Sequence, residues 1–355
     1  MSNKRQIYIN GRFLLLRPTG IQRFAYEICR SLIDNGEDVV IVCPSTGRID
    51  ESYDLTGMKV VRFGIGSSHF WEQIILPLYF LFRSNYLLLC LSGIGPVFVS
   101  KKVMTIHDLS FVENPKWFSR SYYLLYSMLT RLAVKTSKHI FTVSEFSKRE
   151  ILRYCQSLKD EDVSVIYNAT SLSAETINRR SEAEKYILFV GSFDPRKNLS
   201  TLISAVENIS SVKLKVVGGH HRSFNSGLIT NDSTSNVEFL GNVSDKELSE
   251  LYANAEALVF PSLYEGFGIP PIEAMSFGCP VLVSDIPVMH EVCSDAVIYF
   301  NPKDKESLAS AIISVLQMSK EDRQALISKG FDNCSRFSWS KSAKILIFVL
   351  HRICQ

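Results

Sequence analysis

The cysteines of this chain form no pairs. All eight (Cys29, Cys43, Cys90, Cys155, Cys279, Cys293, Cys334 and Cys354) stand singly, without a CxxC or a metal-ligand spacing. That excludes a zinc module and fits reduced thiols in a cytosolic protein. No short repeat or low-complexity tract is present. No apolar run is long enough to span a bilayer, and "MSNKRQIYINGR" has neither an apolar core nor a cleavage site, so no signal peptide is expected. A GxGxxG after the first strand is missing as well, which sets aside a generic dinucleotide-dependent dehydrogenase. A net charge of +3 gives no reason to expect a nucleic-acid partner.

With 355 residues the chain is long for one core, and two domains are expected. Apolar strand-like runs recur with helical segments between them: "DVVIVCP", "KVVRF", "NYLLLCLS", "KVMTIHD", "HIFTVS" and "VSVIYN". After the polar interval "ATSLSAETINRRSEAEK" the pattern restarts with "YILFVGS", "LKVVGG", "VEFLGN", "ALVFPS", "PVLVSD" and "AVIYF". This is the βαβ signature of parallel, doubly wound sheets. It predicts an α/β chain of two Rossmann-like domains, residues 1–170 and 171–337, facing across a cleft. The terminal "SWSKSAKILIFVLHRICQ" has helical spacing, and residues 338–355 are expected to pack back on the first domain.

Charge divides unevenly. Residues 1–170 hold 21 Lys and Arg against 15 Asp and Glu. The excess suggests an anionic partner, a membrane surface or a phosphate-bearing acceptor, and fits equally an ordinary solvated surface. "FWEQIILPLYFLFR", Phe70 to Arg83, fits a buried helix or an interfacial one, the buried helix being the expectation.

The stretch "YEGFGIPPIEAMSFGCPVLVSD", Tyr264 to Asp285, concentrates the chemistry. Gly266-Phe267-Gly268 reads as a tight loop, and Pro270-Pro271 as the opening of a helix that Gly278 and Pro280 end before a buried strand. Glu273 is then expected in the first helical turn, where backbone N–H groups beside a glycine loop suit an anion such as phosphate. One reading has Glu273 complementing the helix dipole. The other has Glu265 and Glu273 accepting hydrogen bonds from sugar hydroxyls on either side of the phosphates, as in a nucleotide-sugar. Paired carboxylates also suit a glycosidase, but that chemistry needs no phosphate site.

Ligands of such sheets bind at the carboxyl ends of strands. Arg196 and Lys197 in "FVGSFDPRKNLSTLI" match a diphosphate, and His107 beside Asp108 in "TIHDLSF" suits hydroxyl binding or proton transfer. Gly20 opens an amphipathic helix with Ile21, Phe24, Ile28 and Leu32 on one face. Asp160-Glu161-Asp162 reads as surface, and His220 and His221 lack partners, so no metal is expected.

"EGFGIPPIE" resembles the E-x7-E signature of family 4 glycosyltransferases, retaining enzymes of the GT-B fold. "TGIQRFAYEICRSL", "TIHDLSF", "FTVSEFSKREI", "VGSFDPRKNLSTLI" and "FSWSKSA" resemble further landmarks of that family in the same order. The resemblance implies that Glu273 binds the donor ribose and that Glu265 lies beside the transferred sugar. It also implies that Gly266 and the amides of Phe267, Gly268 and Ile269 contact that sugar or its phosphate, with Asn242 on the donor side. Arg196 and Lys197 would stabilise the leaving diphosphate, His107 would sit at the reaction centre, and the loop at Gly20 would close on the phosphates. Many members have a double glycine there; this chain has Thr19-Gly20-Ile21-Gln22.

The implied reaction retains the anomeric configuration and needs no cofactor or metal. The donor is a nucleotide-diphosphate-sugar, GDP-mannose ahead of dTDP-rhamnose or a UDP-sugar. The implied acceptor is a glycan or undecaprenyl-diphosphate-linked oligosaccharide of bacterial surface polysaccharide, at the inner face of the cell membrane. An epimerase or phosphorylase of the same fold, or a catalytically idle sugar-binding subunit, are the alternatives.

Overall fold

The computed structural model describes residues 5–66, 68–172, 185–207, 209–219 and 236–354. Most of the polar interval before Tyr186, and His220 and His221, lie outside the described residues. The chain divides into two units, one of residues 1–109, 124–168 and 338–355, the other of residues 110–123 and 169–337.

The first unit is built on a parallel sheet of seven strands: β1 (Gln6–Asn10), β2 (Val39–Cys43), β3 (Lys59–Arg62), β4 (Tyr86–Cys90), β5 (Lys102–Thr105), β6 (His139–Thr142) and β7 (Val163–Val165), in the order β3-β2-β1-β4-β5-β6-β7. The sequence runs named above account for β2 to β7. β1 was not among them, yet it is central: "QIYIN" alternates polar and apolar residues rather than forming a continuous apolar run. Its Ile7 pairs with Val39 on one side and Leu87 on the other. β4, β5 and β6 are buried at every position, as expected when helices cover both faces of a parallel sheet.

Burial extends to polar residues. Lys102 in β5 has no solvent exposure; its Nζ donates to the Val99 carbonyl at 3.0 Å and Thr136 Oγ1 at 2.5 Å, and burial pulls its pKa down to about 8. The Trp339–Cys354 helix belongs to this unit. It runs against the Gly20–Asp34 helix, with Trp339 5.9 Å from Phe24, Ser342 Oγ donating to the Tyr167 carbonyl at 2.6 Å, and His351 meeting Glu37 at 2.8 Å.

The expectation of a buried helix at Phe70–Arg83 fails on one face. The helical run from Ser68 to Phe80, with a π turn over Trp71–Ile75, buries Trp71, Leu76, Tyr79 and Phe80 but exposes Phe70, Ile74 and Leu78, followed by exposed Leu81 and Phe82. A single amphipathic stripe is all the sheet can cover.

The second unit has six parallel strands: β8 (Tyr186–Val190), β9 (Lys213–Val217), β10 (Val237–Gly241), β11 (Ala257–Phe260), β12 (Val281–Ser284) and β13 (Ile298–Phe300), ordered β10-β9-β8-β11-β12-β13. All six coincide with the sequence runs. One face carries a core of Ile187, Phe189, Val216 and Val259 packed against Leu202 and Val206 of the Leu199–Val206 helix and Leu308 and Ile312 of the Lys305–Leu316 helix. In both sheets the strand order reverses beside the first strand, between β1 and β4 and between β8 and β11. Such a switch point opens a crevice at the carboxyl ends of the strands.

His139, at the start of β6 and 3% exposed, lies 2.9 Å from Ser164 Oγ. Burial, helped by the Arg352 charge, pulls its pKa down to about 4. Unfolded histidine titrates near 6.5, so the unfolded chain takes up the proton first as pH falls. The stability contributed by neutral His139 is complete above about 6.5 and is lost toward pH 4. Denaturant titrations at pH 7 and pH 5 are expected to differ by about 2 kcal/mol from this residue, and His139→Gln flattens that dependence. An unchanged pH profile in the variant contradicts the assignment.

Candidate active site

The second switch point gathers the charged residues. After β8 the chain turns through Ser192 and Asp194, and Asp194 caps a short 3-10 turn, Pro195–Lys197, by accepting from the Arg196 N–H at 3.1 Å. Asn198 ends that turn in the left-handed region, φ 57°, which asparagine tolerates better than most side chains. Its amide donates to the carbonyls of Pro261 at 3.1 Å and Pro302 at 2.8 Å. The turn is thereby tied to the loop after β11, where the Leu263 N–H also reaches the Arg196 carbonyl at 2.8 Å.

That tie brings Glu265 to the cations. Lys197 Nζ lies 2.6 Å from Glu265 Oε1, and an Arg196 terminal nitrogen 3.6 Å from Oε2. Glu265 is 6% exposed. Burial alone raises the pKa of its carboxyl, but Lys197 and Arg196 outweigh burial and hold it below the ordinary carboxylate range. The carboxylate is ionised at neutral pH.

Gly266, Phe267 and Gly268 lead from Glu265 into the Ile269–Ser276 helix. Gly268 precedes it with φ 94°, and a Cβ there would come within 2.7 Å of Met289 Cε. Only glycine fits. Phe267 is buried with its ring edge-on to Phe337 at 5.3 Å. The helix ends at Gly278, φ 66°, with the Cys279 N–H reaching Ala274 and the Gly278 N–H reaching Met275, a Schellman closure.

Glu273 departs from the sequence expectation in one respect. The helix starts at Ile269, one residue before the proline pair, so Glu273 lies beyond the first turn and no acidic residue occupies that turn. Complementing the dipole therefore does not account for it, because that effect fades within the first turn. Glu273 is 6% exposed, and its Oε2 accepts from the fully buried Tyr252 hydroxyl at 3.0 Å. Tyr252 in turn stacks on Phe277 at 5.9 Å.

Two further strand ends meet nearby. A Cβ on Gly218 (φ 128°) would fall 1.9 Å from the Gly191 carbonyl oxygen, so the loops after β8 and β9 touch backbone to backbone. Asn242, exposed just past β10, has its amide beside Gly219.

In the first unit, His107 lies past the end of β5. Its Nε2 is 2.8 Å from the Leu91 carbonyl, in the loop after β4, and its ring meets Phe24 edge-on at 4.8 Å. Burial lowers the pKa, against the Leu91 carbonyl and Asp108. A neutral ring facing a carbonyl carries its proton on Nε2, which leaves Nδ1 as the acceptor. Gly20 opens the Gly20–Asp34 helix one turn before Phe24 and is exposed, so His107 and Gly20 share this end of the sheet. Asn10, at the end of β1, donates to the buried Glu72 at 2.6 Å, with Arg12 3.7 Å from the same oxygen. Among the described residues no three His, Cys, Asp or Glu side chains gather as metal ligands.

Sequence reading missed Tyr252, Asn198 and the Asn10–Glu72 pair. The Asp-Pro of Asp194-Pro195 was a capping signal within reach. Tyr252 stands twenty-one residues before its partner, and nothing local marks it.

A family model described as Glycosyltransferase Family 4 matches residues 18–174, and one described as Glycosyl transferases group 1 matches residues 173–332. The chain is 36% identical over 238 residues to the O-antigen chain mannosyltransferase RfbU of Salmonella typhimurium, 66% of each chain. It is 28% identical over 262 residues to O-antigen chain mannosyltransferase B of Escherichia coli, 68% of each. These alignments span about two thirds of the relatives' lengths. In the solved structures, WaaG, a glycosyltransferase involved in lipopolysaccharide biosynthesis, has the same fold, with a TM-score of 0.74 at 16% identity over 97% of this chain and 99% of that one. With two successive glycosyltransferase models meeting at residues 173–174, two Rossmann-like sheets in the GT-B arrangement of strands and these relatives, the chain belongs to the family 4 glycosyltransferases.

Proposed function

We propose that this glycosyltransferase moves mannose from GDP-mannose to a lipid-linked glycan acceptor of O-antigen or related surface polysaccharide, retaining the anomeric configuration. The observation that carries the reading is the buried cluster of Arg196, Lys197 and Glu265 at the second switch point, continuous through a glycine loop with the Glu273 carboxylate. Mannose and the surface-polysaccharide acceptor are favoured because RfbU and mannosyltransferase B are O-antigen chain mannosyltransferases.

In this reading the donor lies on the second unit. Glu273, held by Tyr252, accepts from the ribose hydroxyls. The diphosphate meets Arg196, Lys197 and the amides of Phe267, Gly268 and Ile269, while Gly266, Asn242 and Glu265 border the transferred sugar and its phosphate. On the first unit, His107 Nδ1 is the acceptor offered to a substrate hydroxyl, and Gly20 opens its helix at the same end of that sheet. The bond between the anomeric carbon and the phosphate oxygen breaks as the acceptor oxygen bonds the same face of that carbon. The acceptor proton passes to the departing phosphate oxygen, and GDP leaves. The cations stabilise the charge that develops on the leaving group, so the scheme needs neither a metal nor a protein base. Binding of the acceptor's lipid end would place the chain at the inner face of the cell membrane.

Thermal shift against GDP-, UDP- and dTDP-sugars tests the donor, since a ligand that binds the folded state raises the melting temperature. A selective rise with GDP-mannose is expected, and product NMR reads the retained configuration. A selective rise with another nucleotide replaces the donor, and inversion overturns the mechanism.

Arg196→Ala is expected to lower turnover by about 2–4 kcal/mol of lost charge stabilisation, read as kcat with the donor saturating. Unchanged kcat removes Arg196 from the chemistry.

Tyr252→Phe removes a hydrogen bond to a charged group, worth about 1.5–3 kcal/mol. It is expected to raise KM for the donor more than tenfold while kcat holds, in parallel with Glu273→Gln. A fall in kcat without a change in KM contradicts the ribose assignment.

A further inference from the structure

The first sheet has a switch point of its own, with a carboxylate buried over it. Three consecutive residues of the Ser68–Phe80 run reach three strand-end loops. Trp71 Nε1 donates to the Phe63 carbonyl after β3 at 2.8 Å, Glu72 accepts from Asn10 at the end of β1, and Gln73 donates to the Gly95 carbonyl after β4 at 2.8 Å. All three lie in the π turn over Trp71–Ile75, a distortion frequent at functional sites. The run thereby roofs the ends of β1 and β4, where the strand order reverses.

The Glu72 side chain is 3% exposed. Burial raises its pKa, but His69, Arg12 and Asn10 outweigh burial and hold it below the ordinary carboxylate range. Arg12 stands in the Gly11–Leu15 3-10 turn, which Asn10 caps by accepting from the Arg12 N–H at 3.2 Å. One asparagine side chain therefore fixes both the backbone of Arg12 and the carboxylate that faces it.

This pairing does not use up Arg12. Its Nε stays 3.7 Å from Glu72 Oε1, attracted but beyond hydrogen-bond distance, and among the described residues that buried Nε has no hydrogen-bond partner. Few buried polar groups in native folds lack a partner. The side chain keeps 16% of its surface exposed. One terminal nitrogen lies beside Gly93 in the loop after β4, 3.6 Å from where a Cβ there would stand. His107 meets the same loop at the Leu91 carbonyl. Arg12 and His107 thus flank one short loop at the carboxyl ends of the first sheet, whereas Arg196 and Lys197 belong to the second.

A planar fork of N–H donors, held by a carboxylate on one side, matches a pair of phosphate oxygens on the other. We propose that Arg12 binds a phosphate group of the acceptor, with Glu72 and Asn10 as the positioning residues that aim it. The inference rests on the proposed reading, a lipid-linked acceptor, only for the owner of that phosphate. The geometry around Arg12 carries the anion site itself.

The probe is decyl diphosphate, an alkyl diphosphate without nucleotide or sugar, titrated by calorimetry beside decyl maltoside and inorganic pyrophosphate. Decyl diphosphate is expected to bind and decyl maltoside is not. Arg12→Ala is expected to weaken that binding at least about tenfold, as the loss of hydrogen bonds between charged groups, and Arg12→Lys, which keeps a point charge, to recover part of it. Because Arg12→Ala leaves Glu72 without its counter-ion, Arg12→Ala with Glu72→Gln removes both charges and replaces the single variant if that one does not fold. Glu72→Gln alone keeps an acceptor for the Asn10 amide. On charge alone, removing an anion beside the site would tighten diphosphate binding; lost aim weakens it, and weakening of about fivefold is expected.

Tighter or unchanged binding in Glu72→Gln overturns its positioning role. Binding that falls with Arg196→Ala and not with Arg12→Ala puts the probe on the second unit and overturns the site. Pyrophosphate bound through Arg12 more tightly than decyl diphosphate assigns the site to free phosphate and overturns the acceptor assignment. If no nucleotide-sugar shifts the melting temperature while Arg12-dependent diphosphate binding persists, the donor reading falls and this site stands. A donor shift without Arg12-dependent binding sinks the site alone.

Discussion

A buried carboxylate facing two cations across a switch point is the constraint around which the second unit is arranged. Glu265 comes from the loop after β11, Arg196 and Lys197 from the loop after β8. Those strands are neighbours only because the order reverses there, with Ala257 beside Ile187 and Leu258 beside Leu188. Removing one partner of such a buried pair leaves an uncompensated charge, at a cost of about 3–5 kcal/mol. The surrounding devices keep that from happening. Asp194 fixes the 3-10 turn, Asn198 takes a left-handed conformation to bond Pro261 and Pro302, and the Leu263 N–H closes the gap between the loops.

Charge balance in this cluster determines what remains for an anion. Arg196 and Lys197 face Asp194 and Glu265, so the four side chains nearly cancel. In the proposed reading two groups of donors meet the diphosphate. Arginine and lysine side chains carry several N–H donors each, and at the start of the Ile269–Ser276 helix, where Pro270 and Pro271 have no N–H, the Ile269 N–H is the first helical donor. A close approach of the backbone there is served by Gly268, whose φ of 94° disfavours any other residue. The first unit solves a simpler problem. His107 is kept neutral by burial and oriented by the Leu91 carbonyl, so its ring adds no charge at that strand end.

Much of this was legible in the sequence because parallel sheets write themselves as continuous apolar runs, and twelve of the thirteen strands among the described residues coincide with such runs. The exception, β1, shows the limit of that signal. Tyr8 lies edge-on to Tyr79 and Phe80, so an aromatic layer covers a strand whose alternation reads locally as half-exposed. The Phe70–Arg83 stretch misled in the opposite direction, since its apolar content exceeds what one sheet face can cover and the surplus is exposed. At the site, Arg196, Lys197, Glu265 and the glycine loop were visible because each follows a strand end. Tyr252 and Asn198 were not, because their roles exist only where distant loops meet.

The eight-residue separation of Glu265 and Glu273 is set by helical rotation as much as by the loop. Gly266 and Phe267 bend the chain, Gly268 takes a left-handed conformation and Ile269 begins the helix, so Glu273 sits about one turn in, beyond the end that Glu265 precedes. Each residue turns the side chain by about 100°, so a neighbouring position would point elsewhere. Ile272 is 1% exposed and Ala274 is fully buried, and both belong to the core. Of these three consecutive positions only 273 meets the Tyr252 hydroxyl. A carboxylate at 272 or 274 would lie among apolar neighbours, ionised at the cost of burial or protonated and useless as an acceptor. The spacing therefore follows from placing one carboxylate before a helix terminus and one a turn within it, both at the same end, with the core on either side of the second.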